Sequence, residues 1–255
     1  MELFGYPLWA IVVISGGVFL AAFVDAIGGG GGIISVPVYL FAGLPPHLAL
    51  GTNKLSSCIG TAASTFRYLR NGCVDWFLGI PSVLLALVGA HFGTRLQLAV
   101  DEKYLQYVLL GVLPVVAVLL LKKKSLPENP GEIRRRWQCL VVWSASLLIG
   151  AYDGFYGPGT GTFLLLIFCR LGKMDVRTAS GNVKLVNLSS NVGALVTSVL
   201  AGKVLFPIGL TAAVFSVAGH YLGAGLTIKN GAKIVRPVIL TVLLLLAVKT
   251  LVELF

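Results

Sequence analysis

Apolar segments recur along the whole chain, and this recurrence limits the fold more than any other feature of the sequence. Ten such segments can be placed, at residues 8–27, 28–44, 47–69, 74–96, 104–121, 137–153, 156–172, 178–200, 204–226 and 233–254. A helix needs about 20 apolar residues to cross a hydrocarbon core about 30 Å thick. A chain of 255 residues therefore has room for about ten crossings joined by short loops. The sequence predicts an all-α polytopic membrane protein that forms a single integral membrane domain.

The composition supports a lipid environment. Only 12% of the residues are charged, against roughly 25% in an average soluble domain, so there is too little polar surface for a soluble enzyme or a free nucleic-acid-binding protein. The formal net charge of +10 comes from basic residues clustered between apolar segments, a pattern typical of membrane topology signals. The cysteines form no CxxC pair, and catalytic motifs such as HExxH are absent. We therefore expect no metal, no cofactor and no enzymatic activity.

The second half of the chain repeats the first. Asp25 precedes the run Gly28–Gly32, and Asp153 precedes a second glycine-rich stretch, residues 157–161, at an offset of 128. Farther along the chain the offset becomes 130, and it matches seven pairs: Gly51 with Gly181, Lys54 with Lys184, Leu55 with Leu185, Gly72 with Gly202, Gly79 with Gly209, Gly89 with Gly219, and Gly93 with Gly223. The sequence thus predicts a first transmembrane repeat at 1–121, a basic cytoplasmic loop at 122–136 and a second repeat at 137–255.

The basic residues predict the orientation of these repeats. With ten crossings and an external N-terminus, fourteen of the 20 basic residues fall in cytoplasmic loops and four fall outside, as the positive-inside rule requires. If segments 28–44 and 156–172 did not cross, the clusters at 170–177 and 229–236 would move to the outside. Five spans per repeat is an odd number, so the two repeats are expected to be inverted, with both termini outside the cell. Inverted repeats are common in secondary transporters.

The second and seventh segments are too short to cross as plain helices, and each begins with glycines. An extended run at Gly28–Gly32 followed by a half-helix could just span the core, provided that the segment is packed inside the protein. Glycine also allows a ligand to approach the backbone, and the N-terminus of a half-helix offers N–H groups to an anion. Close helix packing through small residues is the alternative explanation. The expected backbone contacts are at Gly31, Gly32, Ile33, Gly159, Thr160 and Gly161.

Two lysines, Lys54 and Lys184, lie within predicted spans at matched positions. An ammonium inside a membrane costs at least ~2.5 kcal/mol and needs a partner or a function. Each lysine shares a helix face with polar residues three and seven positions later, Ser57 and Thr61 in the first repeat and Asn187 and Asn191 in the second. This stripe suits a bound anion, whereas snorkelling of the lysines to the headgroups is the alternative.

The sequence leaves the roles of the other ionisable residues open. Asp25 and Asp153 end the first and sixth spans, where they could pair with the lysines, carry a coupling proton or cap the turns before the glycines. His91 and His220 lie in spans but one position out of repeat register. For both histidines a packing or helix-end role is favoured over a proton relay.

With these motifs in place, the chain resembles the sulfite exporter TauE/SafE family of membrane transporters. The resemblance rests on Asp25, the five-glycine run, Pro37, the segment Gly51-Thr52-Asn53-Lys54-Leu55 and its copy Gly181-Asn182-Val183-Lys184-Leu185. It adds Asn53 and Asn182 to the candidate binding residues. It implies a bacterial or archaeal inner-membrane permease for small sulfur-containing anions such as sulfite, thiosulfate or organosulfonates. The second glycine segment departs from a plain run through Pro158 and Thr160.

The resulting hypothesis is a secondary transporter that moves a small sulfur-containing anion by alternating access. The implied partners are that anion and the lipid bilayer, without nucleic acid, and a homo-oligomer is compatible with the sequence. One alternative is an accessory membrane protein that binds a partner or helps to assemble a redox complex without moving solute. An anion channel is another.

Overall fold

The structure is a computed structural model that describes residues 2–3, 5–101, 103–104, 131–235, 237–238 and 241. The short strands β1 (Glu2–Leu3) and β2 (Tyr6–Pro7) form an antiparallel hairpin before the first helix. The principal helices are α1 (Leu8–Gly28), α2 (Gly32–Phe41), α3 (Pro46–Arg70), α4 (Trp76–Ala99), α5 (Arg135–Phe155), α6 (Thr160–Arg170), α7 (Val176–Leu200) and α8 (Phe206–Asn230). The described chain is therefore almost entirely helical, as predicted.

Local signals in the sequence explain where several helices begin and end. The Asp75 carboxylate accepts a hydrogen bond from the Leu78 N–H at the start of α4. Asp175 does the same for α7, through the N–H groups of Arg177 and Thr178. These are N-caps, which satisfy backbone donors that lack partners in the first helical turn. Each side-chain cap thus fixes a boundary that hydrophobicity alone leaves open.

The two halves of the sequence are intertwined. The first half contributes α1–α4 and the second contributes α5–α8. α1 lies along α8 and α5 lies along α4, so the first helix of each half packs on the fourth helix of the other. α3 packs against α8 and α7 packs against α4, while α3 and α7 contact each other. Exchanging the two halves leaves this set of contacts unchanged.

Glycines that match at an offset of 130 have equivalent neighbours. Gly89 and Gly93 on α4 press against the α5 backbone, where an added Cβ would overlap carbonyl oxygens. Gly219 and Gly223 on α8 press against the α1 backbone in the same way. These glycines let two helix backbones approach closely, the small-residue packing that membrane helices use. These four repeated glycines are thus packing residues, whereas the repeated pair Gly72 and Gly202 has a φ of 65° and 68° and meets nothing within 4 Å.

Five helices of the described chain, α1, α4, α5, α7 and α8, are long and apolar enough to cross a membrane. Large apolar side chains such as Leu84, Phe92, Leu148 and Val214 are exposed on them, as expected of a lipid-facing surface. The chain is thus a multi-pass membrane protein. α3 is as long as α7, 25 residues, but carries more polar side chains. The predicted fifth and tenth spans lie largely outside the described residues, so the ten-span count stays a prediction.

The glycine segments differ from the expected extended strands. Gly28 is the last residue of α1 and Gly32 is the first of α2, so only Gly29–Gly31 separate the two helices. In the second half, residues 156–159 separate α5 from α6. The expectation of an extended five-glycine run was wrong because helical hydrogen bonding continues almost to the break. α2 and α6 have 10 and 11 residues, each roughly 15–17 Å long, too short to cross the core alone.

Candidate functional site

The two helix breaks meet in the middle of the molecule. Gly29, which has a φ of 76°, lies against the backbone of Gly161 and Thr162 so closely that a Cβ at this position would overlap both. The Thr162 hydroxyl donates a hydrogen bond to the Gly28 carbonyl across the same contact, at 3.0 Å. Gly29 therefore combines a left-handed backbone with a close approach, and both conditions require glycine.

The lysines and aspartates pair across the two halves at this crossing. The Lys54 Nζ lies 2.9 Å from Asp153 Oδ2, and the Lys184 Nζ lies 2.6 Å from Asp25 Oδ2. The exposed fractions of the Lys54 and Asp153 side chains are 7% and 8%, and those of Lys184 and Asp25 are 2% and 18%. Each half thus supplies the cation for one buried pair and the anion for the other.

The aspartates also cap the breaks. Asp25 Oδ1 accepts the Gly31 N–H at 3.1 Å, and Asp153 Oδ1 accepts the Thr160 hydroxyl at 3.0 Å. Of the three roles left open by the sequence, pairing and capping therefore occur together. A carboxylate held by both kinds of contact fixes the end of one helix and the start of the next.

A small polar cavity lies beside the crossing. Its volume is about 40 Å³, enough for about three water molecules at roughly 10–15 Å³ each. Helix α3 contributes Asn53, Lys54, Ser57 and Thr61 to its wall, and α7 contributes Asn187 and Asn191. The two breaks contribute Asp25, Gly31 and Gly32 from one half and Asp153, Thr160 and Gly161 from the other. Twelve of the residues expected from the sequence are thus brought together.

Four expected residues lie elsewhere. Lys184 is sealed off from the cavity: it is not part of the wall, only 2% of its side chain is exposed, and its Nζ donates to both the carbonyl and the carboxylate of Asp25. Asn182 packs at the contact with Gly79 on α4, and its Nδ2 donates to the Thr178 carbonyl. Ile33 is buried in the apolar core. Gly159 forms the left-handed N-cap of α6 and does not line the cavity.

The two lysines are therefore not equivalent in the structure. The Lys54 Nζ donates to Asn191 Oδ1 at 3.2 Å besides its contact with Asp153, and it borders the cavity. An ammonium has three donors, so one more remains for a ligand. The cavity also adjoins the N-termini of α2 and α6, each of which carries roughly half a positive charge.

Several backbone donors expected at the helix starts are already engaged. The Ile33 N–H bonds to the Gly30 carbonyl, and the Thr160 N–H bonds to the Gly157 carbonyl. The Gly31 N–H serves Asp25. Gly32 and Gly161 remain as positions where backbone borders the cavity, so side chains supply most of the polar wall.

The sequence interpretation did not select every residue of the wall. His220 lines the cavity, with Nε2 3.5 Å from the Thr61 hydroxyl oxygen and 3.9 Å from Asp25 Oδ2. Ser216, one helical turn earlier on α8, lines it as well. The spacing of Ser216 and His220 on an otherwise apolar helix was the available signal. Ser190 donates to Asp153 Oδ2 at 2.6 Å. The sequence repeat could not mark this serine, because the matching position in the first half is Gly60, which has no polar side chain.

The other spanning histidine behaves as a packing residue. The His91 Nδ1 lies 2.9 Å from the Thr197 hydroxyl oxygen, which joins α4 to α7 away from the cavity. His91 thus fits the interpretation that the sequence favoured for both histidines, whereas His220 does not.

A known protein family matches the part of the chain that builds this site. The family model described as "Sulfite exporter TauE/SafE" matches residues 14–250, which include both glycine breaks and both lysine-aspartate pairs. The chain belongs to the TauE/SafE family. Membership places this TauE/SafE protein among membrane transporters, in agreement with its apolar helices.

Curated relatives extend over most of this TauE/SafE protein. It is 35% identical to "Probable membrane transporter protein ORF9" of Sinorhizobium sp, over 92% of this chain and 90% of the relative. It is 32% identical to "Probable membrane transporter protein YfcA" of Escherichia coli K12, over 92% and 87%. A "Probable membrane transporter protein" of Haemophilus influenzae is 30% identical over 96% and 95%. No solved structure matches the chain.

Proposed function

We propose that this TauE/SafE protein is a secondary transporter that moves a small sulfur-containing anion, such as sulfite, thiosulfate or an organosulfonate, by alternating access. The observation that carries the proposal is the position of Lys54, whose buried ammonium borders a small polar cavity where two broken helices cross. The family match and the names of the relatives support transport. The choice of a sulfur anion rests on the description of the family model alone.

The donors in the wall favour an anion over a cation. Lys54 retains a donor, and the amides of Asn53 and Asn187 and the hydroxyl of Ser57 face the same space. The two carboxylates are already occupied, because Asp153 accepts from Lys54, Ser190 and Thr160, and Asp25 accepts from Lys184 and Gly31. An oxyanion has only acceptors, so it can accept hydrogen bonds from the Lys54 ammonium, the Ser57 hydroxyl and the asparagine NH2 groups. The Oδ1 atoms of Asn53 and Asn187 are acceptors without a partner among the described residues, and they would accept from water or from a protonated ligand. The cavity volume suits an anion of a few heavy atoms.

The difference between the two lysines suggests how access alternates. The halves have matching helices and matching contacts, yet only Lys54 borders the cavity, whereas Lys184 is sealed. If the halves exchange these two arrangements, Lys184 becomes the lysine that borders the cavity, and Lys54 becomes the lysine that is sealed off from it. Such an exchange opens the cavity to opposite sides when the repeats are inverted. The proposal therefore includes two inverted five-span repeats with both termini outside the cell.

A flux assay tests this function. Purified protein in proteoliposomes is supplied with labelled sulfite, thiosulfate or methanesulfonate, and saturable uptake of at least one is expected. The variant Lys54→Gln removes the charge at the cavity. The loss of one charged hydrogen bond, about 1.5–3 kcal/mol, lowers the apparent affinity for the anion by roughly 10- to 150-fold. Lys229→Gln, at an exposed position near the end of α8, is the matched control and keeps wild-type uptake.

The outcomes separate the competing functions. Non-saturable conductance indicates a channel. Absence of flux for all three anions, with a stable partner recovered in its place, indicates an accessory protein. Saturable uptake that is the same in folded Lys54→Gln and wild-type protein contradicts the assignment of the site.

A further inference from the structure

The charges around the cavity cancel before any ligand binds. Lys54 and Lys184 contribute two positive charges, and Asp25 and Asp153 contribute two negative charges within 2.9 Å of them. A bound monoanion leaves this buried region with a net negative charge. Burial of an uncompensated charge is costly, so occupation by an anion alone is disfavoured. One added proton restores neutrality when the anion is a monoanion such as methanesulfonate, and it halves the excess charge when the anion is a dianion such as thiosulfate.

The cavity contains a pair suited to accept that proton. His220 is 2% exposed, and its Nε2 lies 3.9 Å from Asp25 Oδ2. Its Nδ1 is buried and has no hydrogen-bond partner among the described residues. Imidazole is the side chain whose ordinary titration falls closest to neutral pH. Asp25 and His220 share their environment, so a proton added there belongs to the pair rather than to either residue.

The charged groups around this pair come from several helices. Lys184 on α7 contacts Asp25 directly. Lys54 on α3 and Asp153 on α5 border the same cavity. Arg67 on α3 also packs on α8, but it contacts the Tyr221 carbonyl and ring, where it is exposed. Each of the two lysine–aspartate pairs is neutral in itself, so the extra proton is left to compensate the charge of the incoming anion.

We propose that each anion is carried together with one proton, which is held by the Asp25–His220 pair while the anion occupies the Lys54 side of the cavity. This inference rests on the proposed function and adds the coupling ion. The proton enters from the water on the side from which the anion enters and leaves on the other side. Nothing is oxidised, and the only bond made and broken is the one that holds the proton.

The test measures accumulation at zero membrane potential. Proteoliposomes with valinomycin and equal potassium on both sides receive labelled thiosulfate or methanesulfonate, whose charges do not change near neutral pH. A lumen that is one pH unit more alkaline is expected to accumulate the anion about tenfold, because one proton accompanies each anion. Without proton coupling the anion reaches equal concentrations inside and outside. A monoanion that is carried without a proton responds to membrane potential instead of the pH gradient. A potential of about 60 mV, positive inside, then drives tenfold accumulation, since one charge is worth ~2.3 kcal/mol per 100 mV.

Two histidine variants locate the proton. His220→Gln is expected to reduce pH-driven accumulation from about tenfold to about onefold, whereas His91→Gln, at a histidine outside the cavity, keeps the tenfold value. If the protein carries only sulfite, the two variants are compared with sulfite. Sulfite itself binds protons near neutral pH, so the difference between the variants is measured rather than the absolute accumulation. We expect lower pH-driven accumulation in His220→Gln than in His91→Gln.

The failures of the two proposals are distinguishable. Absence of saturable uptake in wild-type protein defeats the proposed function. Uptake that follows potential and ignores the pH gradient overturns proton coupling and leaves the anion site standing. Equal pH-driven accumulation in folded His220→Gln and in wild-type protein removes His220 from the coupling. If His220→Gln does not fold, the wild-type accumulation alone still decides whether a proton is carried.

Discussion

Removing one member of the Lys54–Asp153 pair should destabilise the protein more than removing both. The two side chains are only 7% and 8% exposed, so Lys54→Met leaves a buried carboxylate without its cation. Breaking such a pair from one side costs about 3–5 kcal/mol. Asp153 keeps the hydrogen bonds that the Ser190 and Thr160 hydroxyls donate to it. The expected cost of Lys54→Met is therefore near the lower end of this range, about 3 kcal/mol.

The matching variant Asp153→Asn leaves a buried ammonium that keeps only its bond to Asn191. We expect a cost of about 4 kcal/mol, because fewer hydrogen bonds remain to compensate the charge. In the double variant Lys54→Met/Asp153→Asn neither charge is buried, and most of the loss is recovered. The single losses add up to about 7 kcal/mol, so a double variant that loses about 2 kcal/mol corresponds to a coupling of about 5 kcal/mol between the two substitutions.

Thermal unfolding of the purified variants in detergent measures this effect. At roughly 2–4 °C per kcal/mol for a chain of this size, each single substitution lowers Tm by about 6–16 °C, and the double variant recovers at least half of that. Lys229→Gln serves as the control with an unchanged Tm. Additive losses in the double variant would refute the cross-half pair, since independent sites show no coupling.

Two further predictions concern the glycine crossing and a surface ion pair. Gly29→Ala should cost about 3 kcal/mol or more and abolish folded expression, because the positive φ and the overlap with Gly161 act together. The control is Gly16→Ala at an exposed position of α1, where an added Cβ meets nothing within 4 Å; it should be neutral or raise Tm slightly. Equal expression of both variants would contradict the close contact between the two helix breaks. Arg135→Gln removes the contact of one guanidinium nitrogen, Nη2, with both carboxylate oxygens of Asp75. The Arg135 side chain is 47% exposed, so the loss should stay within about 1 kcal/mol. A loss above about 3 kcal/mol would show that this contact is structural.

The helices were predictable because their signals are local. Apolar segments 8–27 and 178–200 differ from α1 and α7 by only one or two residues at any boundary. Helix length and apolar composition are read directly from a continuous stretch of sequence. The predicted basic loop 122–136 overlaps α5 by Arg135 and Arg136, again a difference of two residues, because positive charge marks a side of the membrane rather than a helix end.

The candidate site was predictable in composition but not in geometry. The repeat marked both lysines and both aspartates, yet it made Lys54 and Lys184 equivalent, and only tertiary structure shows that one borders the cavity and the other is sealed. The cross-half pairing was one of three open roles, because it depends on which helices meet. His220 was assigned to packing because a single histidine out of register carries no information about its neighbours.

Anion flux through the double variant Lys54→Met/Asp153→Asn measures most directly whether the anion binds at Lys54. This variant is expected to keep the fold, since neither charge is left buried alone, but it lacks the ammonium that borders the cavity. We expect reconstituted wild-type protein to take up labelled sulfite, thiosulfate or methanesulfonate saturably, and the folded double variant to lose this uptake by at least tenfold. Wild-type uptake in a folded double variant would show that the anion does not bind at Lys54.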